Sequence, residues 1–323
     1  MTRMDRSRCW LLAVLAISFA CTKSGGGESA PGSSGGTSGA TNSGASPGSA
    51  GTKANAGSGS SNGGSSNGGG SNGGDGGSGV AGGGTSSAGT AGAGGGPWQF
   101  PAGVTKPRIM IVGDSISAGP GCYKKYLLQK LTENGYTQLE FVGQYDDDCG
   151  GGVKHSAVSC STAAQYTQAM FMMPNCAQGM SFAGLSTLMP AHNPDLVMLQ
   201  LGVNDVWGNT PTATTLENYG KLVEQARAHN PNVALVVAQI QKIRPDCGDD
   251  DSVQKRAEEL VMAVPAWAQA QSTPQSPVFV ADLWTDSDWT MAETSDCVHP
   301  NDAGAQRMGE NWYDALKGIL KPN

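Results

Sequence analysis

The sequence predicts an α/β fold, a three-layer αβα domain on a parallel sheet of five strands. Short apolar runs alternate with segments of helical period from about residue 97 to the end. The runs are apolar throughout rather than at every second residue, as strands buried on both faces are. Serine, asparagine, aspartate and histidine stand just after such runs, at the strand ends where open α/β sheets bind ligands.

Arg108–Val112 (RIMIV) is the first predicted strand and ends at Gly113-Asp114-Ser115. Tyr123–Asn134 carries Tyr126, Leu127, Lys130 and Leu131 at helical spacing, with Gly135 as the stop. Leu139–Val142 is the second strand, and Leu196–Leu201 (LVMLQL) is the third, running into Gly202. Leu216–His229 reads as a helix and Val233–Ile240 as the fourth strand. Ser252–Gln271 reads as a helix that Pro265 kinks or splits. Val278–Ala281 is the fifth strand and Asp302–Leu320 the closing helix. A sheet of this kind, covered on both faces, is flavodoxin-like. Residues 149–182 fit the scheme badly: they hold Met170, Met172, Met173 and Met180 and three cysteines without a clear period. They are expected to form a disulfide-stapled insertion, either a wall of the substrate cleft or a structural excursion.

The first 96 residues have a different composition. Arg3, Arg6 and Arg8 precede a short apolar run, Cys9–Ala20, which is too short to span a bilayer and suits an export signal. Residues 1–20 are therefore expected to be a signal peptide. Ala20-Cys21 resembles a bacterial lipoprotein lipobox, although Ser18 and Phe19 depart from its pattern. Lipidation of Cys21 is the expectation, with plain cleavage nearby as the alternative. Residues 21–96 are mostly Gly, Ser, Ala, Asn and Thr, too poor in apolar side chains to offset the entropy of ordering. This linker is expected to be disordered, with an r.m.s. reach of about 45 Å. The folded domain is assigned to residues 97–323. The chain is thus expected to be exported, a surface or outer-membrane lipoprotein or else secreted, to touch membrane only through its lipid, and to be monomeric.

The net charge of −7 argues against nucleic acid as a partner, since that needs clustered Lys and Arg. Six cysteines in residues 97–323 of an exported chain suggest three disulfides, among fifteen possible pairings. The expected set is Cys122–Cys149, Cys160–Cys176 and Cys247–Cys297. No C-x-x-C occurs and the four histidines are scattered, so no structural metal site is expected.

Three motifs carry chemistry. Ser115 follows the first strand, where a hydroxyl is exposed and its own N–H is available to an oxyanion, although a serine there is also an ordinary helix cap. Asn204, in Gly202-Val203-Asn204-Asp205 after the third strand, can aim its amide at the same pocket, or it can simply be turn chemistry. Asp296 lies three residues before His299, a spacing that lets the carboxylate accept from Nδ1–H while Nε2 faces a serine. Each is weak alone. Together, in this order and all at strand ends, they are specific. Asp114 and Asp205 read as loop-holding carboxylates. His155, His192 and His229 read as surface or packing residues.

The segments IVGDSISAG, LQLGVND and DCVHPNDAG resemble blocks one, three and five of the SGNH, or GDSL, hydrolase superfamily. Gly-Pro-Gly-Cys after Ser115, EFVG, NPDLVMLQLGVNDVW and HPNDAGAQRMGENWYDAL resemble its carbohydrate esterase family 3 branch, which includes acetylxylan esterases. The resemblance spans residues 106–320 and implies an SGNH hydrolase fold without metal or organic cofactor. It implies Ser115 as nucleophile, His299 as base and then acid, and Asp296 as its orienting partner. The oxyanion hole would use the Ser115 N–H, the Asn204 amide and a second-block glycine. Gly184 is the expected third donor, with Gly179 and Phe182 as alternatives. Cys297 stands where the family has glycine, and a disulfide to Cys247 would stiffen that loop. Trp207 is expected to line the cleft and stack on a sugar. The implied substrate is an acetylated polysaccharide or other small ester. The alternatives are a lipolytic esterase, thioesterase or lysophospholipase on longer acyl esters, and a non-catalytic carbohydrate-binding module.

Overall fold

A computed structural model describes residues 98–323 apart from 120, 148, 174–175, 244–250, 286–288, 291 and 297. Cys21, the Cys247–Cys297 pair and the 21–96 linker lie outside the described residues. The elements run β1 (Arg108–Gly113), α1 (Ser115–Ala118), α2 (Tyr123–Glu133), β2 (Glu140–Val142), β3 (Tyr145–Asp146), β4 (Lys154–His155), α3 (Ala163–Tyr166), β5 (Met170–Met173), β6 (Ala177–Ala183), α4 (Leu185–His192), β7 (Leu196–Gln200), α5 (Val203–Trp207), α6 (Thr212–His229), β8 (Ala234–Gln239), α7 (Asp251–Gln271), β9 (Val278–Asp282) and α8 (Asp302–Leu316).

The five apolar runs form one sheet in the order β2-β1-β7-β8-β9, every neighbouring pair parallel. Counting only these strands, the order is 2-1-3-4-5, the flavodoxin-like winding. Ile109, Met110, Ile111 and Val112 of β1 and Leu196, Val197 and Met198 of β7 are buried, because helices cover both faces. α2 packs on α8 on one side; α4, α6 and α7 pack in series on the other. The α2–α8 contact is close because of Gly309: a Cβ there would press on Tyr126 and the Leu127 backbone. This contact matters for the site. It docks the loop that precedes α8 beside the turn that precedes α2.

Some boundaries differ from expectation. α6 starts one turn early, at Thr212, because Pro211 supplies a ready-made start. α7 runs unbroken through Pro265 over 21 residues. The closing helix ends at Leu316 rather than Leu320. The insertion is structured: β3 pairs with β4 and β5 with β6, both antiparallel. Two disulfides tie it down, Cys122–Cys149 (Cα–Cα 5.5 Å) and Cys160–Cys176 (6.2 Å).

Behind α1 sits a buried charge. Lys124 is 1% exposed; its Nζ donates to the Ser117 carbonyl (2.5 Å) and lies 3.3 Å from Asp147, whose side chain is also buried. Removing one partner of such a pair strands the other charge without water. Lys124→Met is therefore expected to destabilise the domain by about 3–5 kcal/mol. Denaturant unfolding checks this, and a loss below about 1 kcal/mol would mean that Asp147 finds another partner.

Candidate active site

Ser115 is the first residue of α1, directly after β1. Its turn is pinned from several directions. Asp114 N–H donates to the Gln200 carbonyl (3.3 Å), and Asp114 Oδ1 accepts from Ile116 N–H (3.0 Å), capping the short helix. The Gly113 carbonyl receives the Val158 N–H (2.9 Å) and lies 3.0 Å from the Tyr166 hydroxyl. Ser117 Oγ meets Tyr123 Oη at 2.9 Å. Ser115 is thus half-exposed on a turn whose every neighbour is held.

The loop before α8 supplies the partners. Thr294 and Pro300 form an antiparallel bridge, Ser295 N–H donates to the His299 carbonyl (2.9 Å), and Asn301 caps α8 by accepting from Ala303 and Gly304 N–H. Inside that loop Asp296 Oδ1 accepts from the N–H groups of Val298 (3.2 Å) and His299 (2.8 Å). Asp296 Oδ2 lies 2.8 Å from His299 Nδ1, and His299 Nε2 lies 2.9 Å from Ser115 Oγ. Ser115 and His299, 184 residues apart, therefore meet in a continuous relay with Asp296. Partial burial pushes the Asp296 carboxyl up, but the His299 N–H, the imidazole and the Val298 N–H outweigh it and hold the carboxyl below the ordinary carboxylate range. Asp296 is thus kept ionised and fixes which imidazole nitrogen carries the proton.

Asn204 sits on α5, just beyond β7. Its Nδ2 donates to the Ser161 carbonyl at 3.0 Å, and the Asp205 carboxylate receives the Ala163 N–H at 3.1 Å. Two consecutive residues thereby hold the segment 161–163. Trp207 closes the same short helix, half-buried.

The expected third donor is corrected. Gly184 N–H is spent on the Ala169 carbonyl (2.9 Å), and a Cβ at Gly184 would run into the Gln168 carbonyl oxygen. Its glycine is explained by that close approach, not by an open donor. The alternatives Gly179 and Phe182 lie in β6, with Phe182 opposite Phe171 in the β5–β6 ladder. The segment that packs on Asn204 is instead residues 158–163, which motif reading overlooked. The signal that marks it is Cys160, a non-glycine at φ +64°.

The other histidines stay out of the relay. His155 is buried, its Nδ1 accepting from Ala157 N–H (3.2 Å), and burial first, then Lys124, pushes its pKa down to about 4. His192 is half-buried on α4, and His229 Nε2 lies 3.0 Å from Asn193 Oδ1.

Asp114 is fully buried and its Oδ2 has no partner among the described residues. Burial above all pushes its carboxyl up to about 7, against the pull of the Ile116 N–H, and the nearby Asp205 adds to the rise. A carboxyl with a raised pKa takes up a proton on folding. Its contribution to stability is full below about pH 4 and is lost as pH climbs through about 7. Asp114→Asn keeps the cap acceptor and removes the titration. The variant is expected to gain on the parent by about 2–4 kcal/mol between pH 5 and 8. Denaturant unfolding across that range measures it, and parallel pH profiles would refute it.

The GDSL-like lipase/acylhydrolase family model matches residues 111–307. A multidomain esterase of Ruminococcus flavefaciens is 28% identical over 233 residues, 66% of this chain and 29% of that protein. The chain therefore spans less than a third of that relative's length. A carbohydrate esterase family 3 structure from Talaromyces cellulolyticus is 25% identical with a TM-score of 0.55, over 65% of this chain and 96% of the other. An acetyl esterase mutant with acetate ion, 24% identical with a TM-score of 0.55 over 65% and 96% of the two chains, shares the fold. With more than half of its length matched by the family model, the chain belongs to the GDSL-like lipase/acylhydrolase family.

Proposed function

We propose that this protein is a serine esterase that removes O-acetyl groups from carbohydrate through an acyl-enzyme on Ser115. The observation that carries the reading is the relay of Asp296, His299 and Ser115, with both imidazole contacts under 3 Å. Ser115 Oγ adds to the ester carbonyl carbon while His299 Nε2 takes its proton. The oxyanion is met by the Ser115 N–H and the Asn204 amide. Collapse expels the sugar alkoxide, which His299 protonates. Water, deprotonated by the same imidazole, then releases acetate and restores Ser115. Asp296 steadies the imidazolium in both halves.

The acetyl-carbohydrate assignment draws on the similarity to the family 3 carbohydrate esterase. The expected export signal in residues 1–20, the lipidated Cys21 and the 21–96 linker fit an enzyme that reaches polymers outside the cell. Two disulfides fit the same compartment. Trp207 is assigned to the sugar side of the cleft.

One observation favours a second reading. Met170, Met172 and Met180 on β5 and β6 are 50%, 60% and 57% exposed, and Cys160–Cys176 ties that hairpin to the segment beside Asn204. Flexible apolar side chains there suit a longer acyl chain. Acetate release from acetylated xylan, set against hydrolysis of p-nitrophenyl acetate and octanoate, separates the two. Preference for acetyl esters and xylan supports the proposal; preference for octanoate by tenfold or more replaces it with the lipolytic reading.

A further inference from the structure

We propose that the Cys160–Cys176 disulfide is a positioning device for catalysis: it holds Cys160 in a left-handed backbone so that the Cys160 N–H serves as the third oxyanion donor. The inference rests on the serine esterase reading above.

Three observations converge on Cys160. First, its φ of +64° lies where a residue with a Cβ is strained. Such strain persists only where the surroundings impose it. Second, the residues around it are stitched to the site. Val158 N–H is on the Gly113 carbonyl, the Ser161 carbonyl is on Asn204 Nδ2 (3.0 Å), and Ala163 N–H is on Asp205 Oδ2 (3.1 Å). Cys160 is therefore held between the carbonyl two residues before Ser115 and the side chain of Asn204. Third, the Cys160 N–H has no acceptor among the described residues, whereas the Gly184 N–H is taken by Ala169. A left-handed residue within such a turn makes successive N–H groups converge on an anion.

The disulfide supplies the constraint. Without it, the Cβ at residue 160 favours relaxation out of the left-handed region, and the N–H swings away. A glycine has no such preference and would keep the conformation without any cross-link. That difference separates positioning from mere stapling.

The test compares the oxidised parent with Cys160→Ala/Cys176→Ser and Cys160→Gly/Cys176→Ser, both lacking the cross-link. Each is assayed on p-nitrophenyl acetate well below its own melting midpoint, with kcat and KM resolved. Loss of a well-placed oxyanion donor lowers kcat by about 10²–10³-fold, and partial misplacement by less. The alanine variant is expected to lose about 10–100-fold in kcat with KM changed less than about threefold, and the glycine variant to keep a kcat about tenfold or more above that of the alanine variant. Full kcat in the alanine variant overturns the proposal. So does an equal loss in both variants, which would make the disulfide a staple only. If the alanine variant does not fold, Cys160→Ser/Cys176→Ser, which also keeps a Cβ and lacks the cross-link, takes its place under the same outcomes. A parent that hydrolyses no ester defeats the esterase reading itself, an outcome distinct from an active parent with indifferent variants.

Discussion

Ser115→Ala removes turnover and leaves the fold intact. The expected loss in kcat/KM is about 10⁴–10⁶-fold, the scale on which serine hydrolases lose activity with their nucleophile. The reason is local. Ser115 Oγ is the atom His299 Nε2 faces at 2.9 Å, and the Ser117 hydroxyl does not stand in for it, being buried against Tyr123 and Gln200. Among the described residues the Ser115 side chain bonds only His299, so unfolding free energy should change by less than about 0.5 kcal/mol. His299→Ala should fall as far, and the double variant scarcely further, because the two act as one unit. Asp296→Asn should keep the loop's N–H contacts yet lose about 10⁴-fold through the wrong imidazole tautomer. Hydrolysis of p-nitrophenyl acetate by each purified variant is the measurement. A Ser115→Ala enzyme retaining a tenth of parental activity would remove Ser115 from the mechanism.

The five sheet strands were legible because each is apolar along its length, and burial on both faces is what that pattern encodes. The relay was legible because its members sit in two short segments, Ser115 just after β1 and Asp296 with His299 in the loop before α8. What sequence reading lost has physical causes. α5 has only five residues, less than two turns, so no period shows. α4 holds Pro190, and its backbone places that proline where a periodic reading stops. In β5 the burial does alternate, Met170 and Met172 out, Phe171 and Met173 in. All four side chains are apolar, so the alternation is silent in the sequence. Gly184 is what the resemblance offers as the second-block glycine, yet its N–H is bonded and its missing Cβ makes room for Gln168. Cys160 hid for the opposite reason. A left-handed residue is read from glycine or asparagine, and a cysteine held there by a cross-link carries no such mark.

Asn204→Ala separates transition-state stabilisation from substrate binding. An oxyanion donor acts most strongly on charge that is absent from the bound ester, so its loss lowers kcat and leaves KM nearly alone. The expected fall in kcat is about 10²–10³-fold, with KM within about threefold of the parent. Asn204 also ties down the Ser161 carbonyl at 3.0 Å, so the same substitution loosens segment 158–163. Those two effects come apart in Asn204→Asp. The carboxylate cannot donate to the Ser161 carbonyl, and it places a negative charge where the oxyanion forms. That variant should be slower than Asn204→Ala, whereas a purely structural role predicts two variants of equal rate. Asp205 gives the control on the neighbouring residue. Asp205→Asn still offers an oxygen to the Ala163 N–H, and it relieves a carboxyl that burial above all pushes up to about 6. It should keep kcat within about tenfold of the parent while Asn204→Ala loses far more. Equal losses at both positions would show that Asn204→Ala acts no more directly on the oxyanion than a change at its neighbour does, and would take Asn204 out of the oxyanion hole.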